Sequence, residues 1–139
     1  MDDQLNTRTG ALRLAFGLTA TLAGLDKFFN LLADWSAYVS PLAAQLLPVS
    51  PETFMYAVGI IEIAVGIAIL GVAPVLGAYV ASAWLLLVAG NLVLAGALDV
   101  AVRDVVMSVA AFTLARLLQL RIEHAAPSGL TEARRAVTA

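Results

Sequence analysis

Four apolar stretches, at about 11–33, 53–72, 74–97 and 100–120, occupy most of a 139-residue chain and leave only short connections between them. A helix that crosses a hydrocarbon layer needs about 20 consecutive, mostly apolar residues, and each stretch meets that length. Inside lipid the backbone must satisfy its own hydrogen bonds. The fold class that follows is all-α: an integral membrane four-helix bundle with four transmembrane helices and both termini on the same side. Composition agrees, since 61% hydrophobic and 13% charged residues, with a mean hydropathy of +0.91, fall outside the range of ordinary soluble domains.

Residues 1–124 are then the transmembrane domain and 125–139 a polar cytoplasmic tail, loosely attached because Pro127, Ser128, Gly129 and a charged TEARR stretch give it little to bury. The first stretch is expected to stay in the mature protein. It is too long for a signal peptide, it carries Asp26, Lys27 and Asn30, and no small-residue cleavage pattern follows it.

What is missing narrows the chemistry. The chain has no cysteine, which excludes thiol exchange, iron-sulfur ligation and cysteine-based zinc sites. Its single histidine, His124, follows the last stretch, so no pair of histidines holds a haem within the bundle. No metal site is expected, no nucleotide-binding or metalloprotease motif is present, and a net charge of −2 argues against nucleic acid. Electrons that pass through such a protein must come from a diffusible carrier such as a quinone, or from a partner subunit.

Arginine placement sets the orientation, because short cytoplasmic segments retain Lys and Arg. Arg8 and Arg13 lie at the start of the first stretch, and Arg116, Arg121, Arg134 and Arg135 end or follow the fourth. Both termini are therefore expected in the cytoplasm of a cell with the protein in its inner membrane, and the 34–52 segment and the 97–103 turn face outward. Ser50-Pro51-Glu52 reads as an N-cap, a first-turn proline and an acid that complements the helix dipole, and Pro74 suits the first turn of the next helix. Trp35, Tyr38 and a short amphipathic stretch at 41–47 are expected to lie along the interface and cover the outer end.

Polar residues recur at one depth. Asp26, Lys27 and Asn30 come late in the first stretch, Glu62 lies in the middle of the second, Asn91 comes late in the third, and Asp99, Arg103 and Asp104 open the fourth. At 1.5 Å per residue, Glu62 lies roughly 14 Å from the outer end, Lys27 and Asn91 about 9 Å, and Arg103 about 5 Å. Lipid cannot solvate these groups, so they should face one another, water or a bound polar molecule. Gly59, Glu62 and Gly66 share a small-residue stripe where another helix can approach, and Gly10, Gly17 and Gly24 repeat at sevens on the first stretch. Such stripes suit packing within the chain and between copies alike, which leaves a homo-oligomer open. Asp26 and Asn30, Asp99 and Arg103, and Asp104 and Ser108 are each spaced to pair within a helix. With Asp26, Lys27, Glu62, Asp99, Arg103 and Asp104 all ionised the cluster sums to −2, which favours a proton held on one carboxyl, and Glu62, the deepest, is the candidate because burial disfavours the charged form. The competing interpretation is that these groups only hold helices together.

The segments 23–29, AGLDKFF, and 59–66, GIIEIAVG, together with the tight turn and the small-residue-rich third stretch that follow, resemble the DoxX/DoxD-like small membrane proteins. The resemblance covers nearly the whole chain. It implies a four-helix membrane bundle, some relatives being linked to quinone-dependent thiosulfate oxidation and others to membrane oxidoreductase complexes that handle oxidative stress. Lys27, Glu62 and the flanking glycines are the residues that carry over; the stretch from Asp99 to Asp104 is not part of the pattern.

Three functions remain in view. In the first the cluster binds a quinone-like headgroup with no covalent cofactor, and the protein is a subunit of a membrane oxidoreductase system working with a soluble or membrane partner. Lys27 or Arg103 would donate to a carbonyl, Asn30 and Asn91 would orient it, Glu62 and Asp26 would exchange protons, and Asp104 would complete the ligand-binding set. In the second the protein is a non-catalytic scaffold or assembly subunit whose polar groups serve helix packing. In the third it is a small proton-coupled transporter, against which the apolar inner half of the helices argues.

Overall fold

The structure is a computed structural model that describes the backbone of residues 2–137 and the side chains of residue 4 and of residues 6–124. It is all-helical, with no strand among the described residues. In chain order it contains α1 (Asp2–Asp26), a 3₁₀ turn (Trp35–Tyr38), α2 (Pro41–Leu46), α3 (Pro51–Ile67) continued by a π-helical turn (Ala68–Val72), α4 (Pro74–Leu94) and α5 (Leu98–Val137). Among the described residues three helical segments are long and apolar enough to cross a membrane: Pro51–Val72, Pro74–Leu94 and Leu98–His124. α1 is not one of them, because Arg8 and Arg13 and the threonines at 7, 9, 19 and 21 interrupt its apolar character.

Local chemistry explains the boundaries. Ser50 caps α3 by accepting from the Thr53 N–H, with Pro51 in the first turn and Glu52 beside it. Ser40 caps α2 in the same way through Ala43 N–H at 3.1 Å. Ala73, at φ −152°, breaks the chain direction so that Pro74 can open α4. At the far end of α4, Gly96 adopts φ +80° and the Ala97 N–H reaches back to the Leu92 carbonyl at 2.9 Å, the hydrogen bond of a left-handed helix stop.

Two boundaries differ from the sequence expectation. The helix of the first stretch ends at Asp26 rather than near 33, and Asn30 turns the chain at φ +51°. α5 does not end near 120; its backbone stays helical to Val137, through the segment expected as a loose tail. The arginines at 134 and 135, with the rest of the TEARR stretch, lie outside the described side chains.

The long helices pack as two antiparallel pairs. α1 meets α3 through glycines: a Cβ on Gly24 would lie 2.6 Å from the Gly59 carbonyl oxygen, and one on Gly59 would lie 2.6 Å from that of Gly24. One step along the same seam, a Cβ on Gly66 would lie 2.7 Å from the Gly17 carbonyl oxygen. Gly10 has open space around it and takes no part. α4 meets α5 through small residues, Ala78, Ala81 and Ser82 on one and Ser108, Ala111 and Ala115 on the other, all buried. Phe16, Val65, Ile69, Leu114 and Leu118 join the pairs into one core toward the end of the bundle that holds the α3–α4 turn. There Arg13 donates from Nε to the Ile69 carbonyl at 3.1 Å and from its terminal nitrogen to that of Leu70 at 2.5 Å, satisfying carbonyls that the π-helical turn leaves free. Large apolar side chains such as Leu22, Ile60, Leu87 and Val106 are exposed along the outer faces, a surface suited to lipid.

Candidate functional site

Glu62 is held by Lys27. The Lys27 Nζ lies 2.5 Å from Glu62 Oε2, and the side chains are 5% and 16% exposed. The glycine seam makes this pairing reachable, since it draws the end of α1 so close to α3 that a Cβ on Gly59 would stand 3.2 Å from the Lys27 Cβ. Lys27 lies just past the last residue of α1, and its stem carries the ammonium to the wall of α3. The ammonium is then covered: Nζ lies 3.9 Å from the centre of the Trp35 ring. An aromatic face attracts a desolvated cation, so the positive charge is met on one side by a carboxylate and on another by a π-surface.

Asp26, expected as a proton-exchanging group, is occupied in ending the helix. Its Oδ1 accepts from the Leu31 N–H at 3.0 Å, and its Oδ2 from the Leu32 N–H at 3.0 Å and the Trp35 indole N–H at 2.7 Å. The carboxylate replaces the helical partners that residues 31 and 32 would otherwise need, which is why an apolar run containing Phe28, Phe29, Leu31 and Leu32 leaves the helix. It also sets the indole plane over Lys27. Asn30 is exposed, and only its backbone N–H meets Asp26, at the carbonyl, 2.7 Å away. The structure does not bring the Asn30 side chain into the cluster.

Asn91 fastens the covering segment to α4. Its side-chain oxygen accepts from the Ser40 N–H at 3.0 Å and its amide nitrogen donates to the Tyr38 carbonyl at 2.7 Å. The segment from the 3₁₀ turn to α2 is thus tied down at both ends, by Asp26 to α1 and by Asn91 to α4. Arg103 faces outward and pairs loosely with Asp99 at 3.6 Å, the two side chains being 70% and 83% exposed. The expected partnership of Asp104 with Ser108 does not form, because Ser108 turns to α4, lying 3.0 Å from the Ser82 hydroxyl and donating to the Ser82 carbonyl at 2.8 Å. Asp104 is half-buried and makes no hydrogen bond or ion pair among the described residues.

Between the two helix pairs and beneath the covering segment lies a cavity of about 1240 Å³. Its walls are mostly apolar, from Phe16, Val65 and Ile69 at one end to Leu42 and Leu46 of α2 at the other, and the polar side chains on them include Thr19, Lys27, Tyr38, Glu62, Trp84 and Asp104. The Trp84 indole N–H is buried and has no hydrogen-bond partner. A cavity of this shape and lining suits an amphiphile with a compact polar head and an apolar body.

Of the residues singled out in the sequence, Lys27, Glu62, Asn91, Arg103 and Asp104 line the cavity, Arg103 at its rim and Asn91 also fastening the cover. Asp26 holds the cover from the α1 side, and Asn30 is not among the lining residues. Trp35 was expected only at the interface, and no periodicity reveals its place over Lys27; the sole hint is an indole a few residues beyond a buried Asp-Lys pair. The comparisons leave the family expectation where the residues put it: no family model, no curated protein and no solved structure matches this chain.

Proposed function

We propose that the protein is a four-helix inner-membrane subunit, with both termini cytoplasmic, whose outward-facing cavity binds a quinone-type headgroup within a membrane oxidoreductase or oxidative-stress system. The observation that carries this reading is a buried Lys27–Glu62 ion pair on the wall of an apolar cavity of about 1240 Å³. Desolvating two charges is costly unless their geometry is good, and a hydrophobic pair of similar volume would often serve packing as well. Keeping the charges beside a ligand-sized space favours a role for them there. The likeness of segments 23–29 and 59–66 to the DoxX/DoxD pattern supports the same reading, and a soluble or membrane oxidoreductase is the partner it calls for.

Protein purified in mild detergent from its native membrane is expected to retain an extractable quinone, and Glu62→Gln to lower quinol-linked turnover of the associated oxidoreductase. Protein that carries no quinone, with a Glu62→Gln variant indistinguishable from wild type, rules the reading out.

The scaffold reading is favoured by one observation: Lys27 and Glu62 satisfy each other at the Gly24–Gly59 crossing and hold α1 to α3. Under it, Lys27→Met with Glu62→Leu preserves folding, partner recovery and turnover; under the quinone reading, turnover falls while the other two survive.

A further inference from the structure

We propose that the cavity opens sideways into the bilayer between α2 and α4, over Gly90, and that the hydrocarbon tail of its ligand leaves the bundle there. The ligand class that follows is a single-tailed membrane amphiphile that reaches the site from the lipid. For the quinone-type ligand proposed above, on which this inference rests, it is the long-tailed form rather than the bare ring.

Volume is the first observation. Pockets for compact ligands hold about 300–1,000 Å³, and this cavity holds about 1240 Å³. A single-ring headgroup beside Lys27 and Glu62 leaves most of that space and most of its apolar wall unfilled. Apolar space is filled more favourably by hydrocarbon than by water.

The ways out differ in chemistry. At the inner end Phe16, Val65 and Ile69 belong to the buried core and close the cavity. Toward the outer side the covering segment is fastened by Asp26 through the Trp35 indole and by Asn91 through Ser40 and Tyr38. The edge between α1 and α5 exposes Thr19 and Arg103, a hydroxyl and a guanidinium. The edge between α2 and α4 is walled by leucines instead. α2 starts at Ser40, which Asn91 holds to α4, and Leu42 and Leu46 of α2 with Leu87 and Leu94 of α4 both line the cavity and stand exposed. Side chains that face the cavity and the lipid together mark a lateral opening.

Gly90 gives that opening its floor. Leu87, Gly90 and Leu94 stand at i, i+3 and i+7, one stripe along α4, and the glycine lowers the stripe between the two leucines. A glycine inside a helix weakens it relative to alanine, and close contacts account for those at 17, 24, 59, 66 and 77. A Cβ on Gly90 would meet nothing within 4 Å, so no helix contact calls for the glycine. Gly10 and Gly71 are equally open but do not line the cavity. A chain lying across α4 at Gly90 needs the space that a side chain would take.

The test places the purified protein in lipid nanodiscs and titrates it with a decyl-tailed benzoquinone and with its tail-less methyl analogue. Wild type is expected to bind both. Gly90→Phe should weaken the decyl form about tenfold or more, the scale of overfilling a packed space, and leave the tail-less form unchanged, while Gly71→Phe should change neither. A decyl tail ending in a photoactivated diazirine should mark wild type within 42–46 and 86–94, the stretches that wall the opening. Thermal unfolding reports the folding of each variant, and if Gly90→Phe does not fold, Gly90→Leu takes its place. If the tail-less form binds too weakly to titrate, the adducts decide. Adducts confined to the α1–α5 edge around Thr19 and Met107, a decyl affinity intact in the folded Gly90 variant, or equal weakening of both ligands overturns this inference and leaves the quinone reading standing. No binding of the decyl form by wild type overturns both.

Discussion

The indole of Trp35 lies over the Lys27 ammonium, its ring centre 3.9 Å from Nζ, while the same indole donates its N–H to Asp26 at 2.7 Å. One side chain therefore joins the cover of the cavity to the ion pair on its wall. Trp35→Phe keeps an aromatic face but loses the N–H bond, and Trp35→Leu loses both. We expect the leucine variant to be destabilised by about 1–3 kcal/mol, the combined scale of a desolvated cation–π contact and one hydrogen bond to a carboxylate. The phenylalanine variant should fall between it and wild type. Hydrogen exchange of the 31–40 backbone should quicken in the same order.

Removing one member of the ion pair should cost more than removing both. Lys27→Met leaves Glu62 without its countercharge, and such losses run to about 3–5 kcal/mol, whereas a well-packed apolar pair is often close to neutral. Thermal unfolding in detergent should rank wild type and the Lys27→Met, Glu62→Leu double variant well above Lys27→Met alone. A double variant as unstable as the single one would mean that Lys27 contributes through contacts other than Glu62.

Gly59→Ala tests the seam that places the site. The new methyl would meet the Gly24 carbonyl oxygen at 2.6 Å, and because that neighbour is backbone the helices must separate. Overpacking of this kind costs about 1–3 kcal/mol. Gly10→Ala, in open space, should stay within about 0.5 kcal/mol of wild type. Because the seam also sets the Lys27–Glu62 distance, Gly59→Ala should lower quinone retention where Gly10→Ala does not.

Asn91→Ala should release the cover without touching the ion pair. It removes both side-chain bonds to the 38–40 backbone and leaves the Ser40 N–H and the Tyr38 carbonyl needing new partners. Limited proteolysis within 34–47 should become faster, with the unfolding midpoint lowered only modestly.

Much of the fold was legible because the relevant signals are local. Ser50-Pro51 and Pro74 mark helix starts by chemistry that acts within one turn, and the helices begin there. Gly59, Glu62 and Gly66 at helical spacing identify one face, and that face meets α1. The end of α1 was not legible, since apolar residues continue past it and the stop depends on the Asp26 carboxylate capturing two amides and an indole from the following turn. Arg13 gave no sign of its role for a similar reason: the Ile69 and Leu70 carbonyls it serves belong to a π-helical turn that periodicity does not reveal.

Taken alone, the sequence determined a helical chain with long apolar runs, the starts of most helices and a glutamate and a lysine set inside two of those runs, because burial cost and backbone propensity act on composition and spacing; that the two pair is a result of the fold. Only the tertiary structure decided which polar residues stay free. Asp26, Asn91 and Ser108 were consumed by partners distant in the chain or reached across a turn, Arg103 swung to the rim, and Asp104 was left open on the cavity wall. Hydrogen-bond supply and demand close over the whole fold, so which polar groups are used and which stay open emerges only from the tertiary structure.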